Sequence, residues 1–220
     1  SEMCIRDSNT TDSTIKTYVD NWYKNNLINY TKYLSTSAVY CNDRSEGTGQ
    51  TYNYASSPSS QFKFASFYRM DCDELGYNDG AKANPSYNCT DIRDAFSVNN
   101  TSAKLTYPVS LMTADEIAYA GGQTETTLNA PYAWYYINAN GESITGNAIT
   151  WSLSPNLWNG AQVFVWNVSG SGNPGYLYFF AVTNGYAVRP SISLSSCNLI
   201  SGGDGSANNP YIVKTDGTSC

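Results

Sequence analysis

None of the 220 residues of this chain is histidine, and this absence limits the catalytic and metal-binding chemistry of the protein. Histidine is the usual general base near pH 7 and the commonest ligand of protein-bound metals. Ser-His-Asp and Cys-His catalysis and His-ligated metal sites are therefore excluded. Two classes remain: His-free enzymes in which paired carboxylates do the acid-base chemistry, and binding modules without catalysis.

The acidic pair Asp115 and Glu116 is the first candidate for such carboxylates. The pair belongs to the run Thr113-Ala114-Asp115-Glu116, which matches a helix capping box. We predict a short helix over residues 114–120 that ends at Gly121-Gly122, where a left-handed C-terminal conformation is accessible. Carboxylates in a first helical turn are stabilised by the helix dipole, so we interpret both as structural and expect no catalytic residues.

Metal ligands are the next possibility, and the sequence argues against them. The run Asp71-Cys72-Asp73-Glu74-Leu75-Gly76 begins like a calcium-binding EF-hand loop. Leu75 stands where a ligand is needed, and Lys82 occupies the position of the bidentate Glu. We predict no metal and no cofactor.

The chain has six cysteines, and none forms a C-x-x-C pair of the kind that binds zinc or exchanges thiols. Disulfides are the simpler interpretation, and they favour an extracellular or cell-surface location. Six cysteines allow 15 pairings, so spacing alone does not choose among them.

Aromatic and amide side chains in predicted turns are the candidate ligand-binding residues. Trp158 adjoins Asn159-Gly160, Tyr176 and Tyr178 follow a glycine-rich turn, and Asn184 precedes Gly185. Aromatic rings offer a large contact area with few rotatable bonds, so we predict that these residues bind a glycan or a surface protein. Partial burial against neighbouring loops is the alternative. If replacing Trp158 and Tyr178 leaves both the fold and binding intact, we expect the site in the long segment 42–100.

Helices and strands must position these residues, and their patterns differ along the chain. Apolar residues at helical spacing, after the cap candidates Asp12 and Ser13, predict an amphipathic helix over residues 14–34. A strand is expected at Phe62-Lys63-Phe64, and a hairpin at Asn140-Gly141. Three further strands, over residues 161–168, 176–183 and 186–194, predict a meander. The core residues predicted from these patterns are Trp151, Val163, Val165, Phe179 and Val188.

Several segments, in the same order, resemble a domain of unknown function that is widespread in exported proteins of gut Firmicutes. The matching pieces are IKTYVDNWYKNNL at 15–27, CNDRS at 41–45, Cys89 with DAFSV at 94–98, YPVSLMTADEI at 107–117, WSLSP at 151–155, YAVRP at 186–190, and Gly-Asp-Gly at 203–205 before Asn209-Pro210-Tyr211. The resemblance covers nearly the whole chain from residue 9 to residue 213.

The resemblance implies an α+β domain of the C-type-lectin-like, formylglycine-generating-enzyme-like kind, with two helices packed on a twisted, mostly antiparallel sheet and long loops. It implies a Cys41–Cys89 disulfide, since both cysteines belong to matching segments. We expect Cys197 to pair with Cys220 around the Gly-Asp-Gly turn, which leaves Cys72 unpaired or bonded to an N-terminal cysteine. The calcium-binding carboxylates of true C-type lectins are absent from the corresponding runs Ser154-Pro155-Asn156 and Trp158-Asn159-Gly160.

Charge and apolar patterning limit the partners. The formal net charge is −6 with only 12 Lys and Arg, so we predict no nucleic-acid partner. No apolar run approaches the roughly 18 residues of a membrane span.

We divide the chain into a non-native or disordered leader (1–8), a lectin-like domain (9–195) and a C-terminal hairpin extension (196–220). The predicted function is a non-catalytic extracellular binding module, with a His-free glycosidase and a structural spacer domain as alternatives.

Overall fold

The computed structural model describes residues 11–49, 61–70, 83–125, 148–169, 175–206 and 209–217. The predicted leader, the Asn140-Gly141 hairpin, Cys72 and Cys220 lie outside these residues. The division into residues 9–195 and 196–220 stays a prediction.

The first helix begins where the sequence predicts and ends earlier. Helix α1 spans Thr14–Asn26, and the Ser13 side chain accepts a hydrogen bond of 3.1 Å from the backbone N–H of Lys16. A separate 3₁₀ helix, Ile28–Tyr33, follows it. The predicted continuous helix to residue 34 is therefore two helices.

Two short helices complete the helical part of the described chain. Helix α2, Ala65–Arg69, has no counterpart in the sequence prediction. Helix α3, Ala114–Tyr119, has both hydrogen bonds of the predicted capping box. The left-handed φ of 104° at Gly121, just after this helix, confirms the predicted stop.

Five strands form the main sheet. They are β2 (Phe62–Lys63), β4 (Gln123–Thr124), β5 (Thr150–Trp158), β6 (Val163–Val168) and β7 (Tyr176–Ala181). Their order in the sheet is β2-β5-β6-β7-β4. All neighbours are antiparallel except the parallel pair β4 and β7, so the sheet is mixed. Together with the helices it confirms the α+β class.

A hydrophobic core lies on each face of the main sheet. Val163 and Val165 of β6 pack on one face in a cluster that includes Val19 and Tyr23 of α1. On the other face, Trp166 and Val168 cluster with residues of α2 and α3. Side chains alternate between the faces of a strand, so a strand covered on both faces is largely apolar, as β6 is at every position except the buried Asn167. All five predicted core residues pack in these clusters, with Phe179 and Val188 half-buried.

The predicted meander is wrong in its third member. Residues 186–194 make only isolated bridges, such as Thr150 with Ala187 and Ser110 with Ser191. Pro190 interrupts the run, and proline cannot donate to a sheet ladder. The sheet position next to β7 belongs instead to β4, which pairs with β7 in parallel. Strand β5 lies on the other side of β6, and its pairing with β6 shifts register on both sides of Pro155.

Two small sheets flank the main one. Strand β1 (Tyr40–Cys41) pairs with β3 (Ala95–Phe96), and β8 (Ile200–Gly202) pairs with β9 (Ile212–Val213). Cys41 and Cys89 form the predicted disulfide, with their Cα atoms 5.7 Å apart. Cys197 is disulfide-bonded as well. Within the described ranges, no helix has the length and apolar character that a membrane span requires.

Candidate functional site

The five predicted ligand residues do not converge on one loop cluster. Trp158 and Asn159 lie where β5 turns into β6, and Asn184 lies in the turn after β7, at the same end of the sheet. Tyr176 begins β7 at the opposite end. Strand β6 separates the two ends by roughly 17 Å, from its length and the rise of a strand.

Trp158 is also not a loop residue, contrary to the prediction. It is the last residue of β5, it pairs with Val163 and Phe62, and it is half-buried against the core. Asn159 is exposed, but its side-chain oxygen accepts hydrogen bonds of 3.0 Å from the backbone N–H groups of Ala161 and Gln162. This amide oxygen therefore shapes the turn.

Tyr176 and Tyr178 lie within β7 and are both half-buried, with ring centroids 6.1 Å apart. Asn184 is exposed in its turn. The structure thus divides the predicted residues into two groups, the two tyrosines of β7 and the three residues at the other end of the sheet.

A cleft of about 120 Å³ lies instead next to the Cys41–Cys89 disulfide. Most of its wall comes from the segment 42–100 that the sequence analysis names as the alternative location. The start of α3 closes the remaining side. The lining residues are Val39, Cys41, Asp43, Arg69, Ser86, Tyr87, Asn88, Cys89, Thr113, Asp115 and Glu116.

Arg69, the last residue of α2, holds the cleft walls together. Its Nε and Nη2 atoms donate to the two carboxylate oxygens of Asp115 at 2.7 and 3.0 Å, and its Nη1 donates to Asp43 at 2.6 Å. Burial disfavours the charge of Arg69, but the hydrogen bonds and attraction of Asp115 and Asp43 outweigh it and raise the pKa. Asp115 is only 4% exposed and also accepts from the Ser86 backbone N–H at 2.9 Å.

Tyr87, which lines the cleft, belongs to an exposed pair of stacked tyrosines. The rings of Tyr87 and Tyr119 lie 4.4 Å apart with planes inclined by 17°, although 66% and 51% of the two residues are exposed. The Tyr119 hydroxyl donates to the Pro85 carbonyl at 2.7 Å, which fixes the supporting ring. Partial desolvation and the nearby Glu116 carboxylate raise the pKa of Tyr87.

A second ion pair, Arg44–Asp94, joins the segment after Cys41 to the segment after Cys89. Arg44 donates to Asp94 from its backbone N–H at 2.9 Å and from Nε at 2.5 Å. Burial raises the pKa of Asp94, while the contacts with Arg44 oppose that rise. Segments 41–45 and 94–98 of the resemblance are therefore in contact with each other.

Sequence reasoning missed Arg69 and Tyr87 as members of a site. Arg69 is presented by a five-residue helix that carries no capping signal. One sequence signal could have indicated Tyr87: it lies two residues before Cys89, which is predicted to form a disulfide and so to hold its neighbours in place.

The described part of the chain contains no group of three or more Cys, Asp or Glu side chains placed to hold a metal ion. Comparison with protein-family models, with curated proteins and with solved structures finds no match to this chain.

Proposed function

We propose that this chain is a non-catalytic binding module of the extracellular space or cell surface, and that the disulfide-flanked cleft is its ligand site. The observation that carries the proposal is the exposed stacked pair Tyr87–Tyr119, of which Tyr87 lines a cavity together with charged side chains. Exposed aromatic rings that line a concavity with a few polar groups are typical of ligand sites. The Cys41–Cys89 disulfide supports an oxidising location.

A glycan suits this arrangement better than an extended peptide. The ring of Tyr87 offers a flat apolar face to a pyranose ring, and its partner Tyr119 holds that ring in place. Polar groups of Ser86 and Asn88 lie beside it for hydroxyl contacts. A rigid aromatic platform loses little side-chain entropy on binding.

A carboxylate hydrolase remains the second candidate, because Asp43, Asp115 and Glu116 line the same cavity. Glycosidases need two carboxyl groups directed at the scissile bond. Here Asp43 and Asp115 both bind Arg69, and Glu116 accepts from the Thr113 backbone N–H at 2.8 Å. These structural contacts favour binding without hydrolysis.

We also propose the C-type-lectin-like relationship that the sequence segments suggest. Its support is that strands β1 and β3, which carry two of those segments, pair with each other and are joined by the Arg44–Asp94 ion pair. The mixed sheet with helices on its faces is compatible with that fold.

A glycan array on the 220-residue chain, with and without chelator, tests the function. Tyr87→Ala should weaken binding to every array ligand by roughly 0.5–1.5 kcal/mol, about two- to tenfold, because the stacking face is lost. Tyr18→Ala is the matched control, since Tyr18 is 57% exposed on α1 and lies outside the cleft. Equal affinities of both variants and the unmodified chain would place the ligand elsewhere. Release of new reducing ends from a bound glycan, abolished by Asp43→Asn, would establish the hydrolase.

A further inference from the structure

The charges that line the cleft are unbalanced. Among the described residues that line the cleft, three carboxylates, those of Asp43, Asp115 and Glu116, accompany one guanidinium, that of Arg69. This described lining has a formal charge of two negative. In a concave site with protein walls, such an excess acts on a ligand more strongly than on an open surface.

The guanidinium of Arg69 is already committed to contacts within the protein. Arg69 uses Nε, Nη1 and Nη2 to bind Asp43 and Asp115, and the bidentate contact with Asp115 matches the geometry of both groups. An incoming carboxylate or sulfate would meet these two carboxylates beside the guanidinium. Acidic glycans are therefore disfavoured as ligands.

Tyr87 adds attraction for the opposite charge. The electron-rich face of a tyrosine attracts cations, and Tyr87, which lines the cleft, is 66% exposed. Glu116 lines the same cleft as Tyr87. Aromatic ring and carboxylate are thus both available to one ligand.

We infer that the ligand is an amino sugar, whose pyranose ring lies on Tyr87 while its protonated amino group faces the carboxylates of the cleft. This inference rests on the proposed function and adds the chemical class of the ligand. A primary ammonium interacts favourably with both the carboxylates and the ring face.

Three β-1,4-linked tetrasaccharides of equal length isolate the amino group. One is built of glucosamine, one of N-acetylglucosamine and one of glucose, so that only the substituent at carbon 2 differs. We expect calorimetry at pH 6 to show the glucosamine oligomer binding at least about tenfold more tightly than the other two. This preference should shrink as salt is raised, since salt screens exposed charges.

Glu116→Gln removes one negative charge and preserves the helix start, because glutamine also completes a capping box. We expect the variant to lose about three- to tenfold of the affinity for the glucosamine oligomer, the effect of one charge at contact distance in a high dielectric. Its affinity for the glucose oligomer should not change. Asp216→Asn, at a carboxylate that does not line the cleft, is the control and should alter neither.

The possible outcomes distinguish the amino-sugar assignment from the proposed glycan-binding function. Equal binding of all three oligomers, weakened by Tyr87→Ala, would leave the glycan module standing and overturn the amino-sugar assignment. Tighter binding of a lysine-rich peptide than of any oligomer would also overturn it. If Tyr87→Ala changes no binding at all, the cleft is not the site and both proposals fail.

Discussion

Glu125 is a single residue with an unusual backbone conformation and a partly buried carboxyl group. It directly follows β4 and has a φ of 51°, in the left-handed region that non-glycine residues rarely adopt. Its backbone N–H donates to the Leu177 carbonyl at 3.0 Å, which holds the residue against the edge of the sheet. Its Oε1 atom is buried and has no hydrogen-bond partner among the described residues, and burial raises the pKa of its carboxyl group.

Replacing Glu125 by glutamine should therefore stabilise the chain in a pH-dependent way. Folding raises the pKa above its ordinary value of 4.5, so ionisation opposes folding, and stability is lost as the pH rises from 4.5 through the folded-state pKa. We expect Glu125→Gln to raise the Tm at pH 7 and to leave it unchanged at about pH 3.5, where both states are protonated. Thermal unfolding at the two pH values measures this, with Glu46→Gln at an exposed position as the control. An equal gain at both pH values would assign the effect to something other than ionisation.

At the scale of elements, ion pairs join pieces that are too short to be stable alone. Helix α2 has five residues and α3 has six. Isolated helices of this length do not persist in water, so their stability comes from tertiary contacts. Arg69 joins the two helices through Asp115 and joins both to the segment after β1 through Asp43.

Removing the cation of this network should cost far more than removing one at the surface. Arg69→Met leaves the buried carboxylate of Asp115 uncompensated, which we expect to lower the free energy of unfolding by about 3–5 kcal/mol. Arg93→Met breaks a pair with Asp91 in which the side chains are 53% and 37% exposed, and should cost no more than about 1 kcal/mol. Urea unfolding of both variants provides the comparison. Similar midpoints for the two would show that the Arg69 network does not stabilise the fold.

At the scale of the whole molecule, the disulfide restrains a long stretch of chain. Cys41 and Cys89 are 48 residues apart, and the enclosed stretch carries β2, α2 and one wall of the cleft. Cross-linking lowers the entropy of the unfolded chain more as the enclosed loop grows longer. The same bond holds Tyr87 and Asn88 near α3.

Replacing both cysteines by serine should cost about 4 kcal/mol of unfolding free energy, from the loop-entropy relation at this separation. The double variant should also lose affinity at the cleft, because the chain that bears Tyr87 is no longer tethered. Urea unfolding and glycan titration without reductant measure the two effects. Cys72→Ser, at the cysteine predicted to stay outside both internal pairs, is the control and should change neither. An unchanged stability of the double variant would mean that the remaining contacts alone define the loop.

The sequence by itself determined the local structure. The N-cap at Ser13, the capping box of Thr113 and Glu116 and the strands β6 and β7 were all predicted and are all present. Each depends on hydrogen bonds or alternation among residues a few positions apart, so a short window of sequence contains the whole cause. The Cys41–Cys89 pair was available only through the resemblance, since counting cysteines leaves the pairing open.

Only the tertiary structure decided where the candidate site lies. Arg69 meets Asp43 and Asp115 from 26 and 46 residues away, and Tyr87 stacks on a ring 32 positions further along. No local pattern marks such partners. Strand β5 is also absent from the sequence prediction, because Pro155 argues against a central strand. In the structure, the register shifts on both sides of Pro155 accommodate the proline, and burial between the two cores stabilises the strand. These contacts form because distant segments bury apolar surface together, which is a property of the folded whole and of no single stretch of sequence.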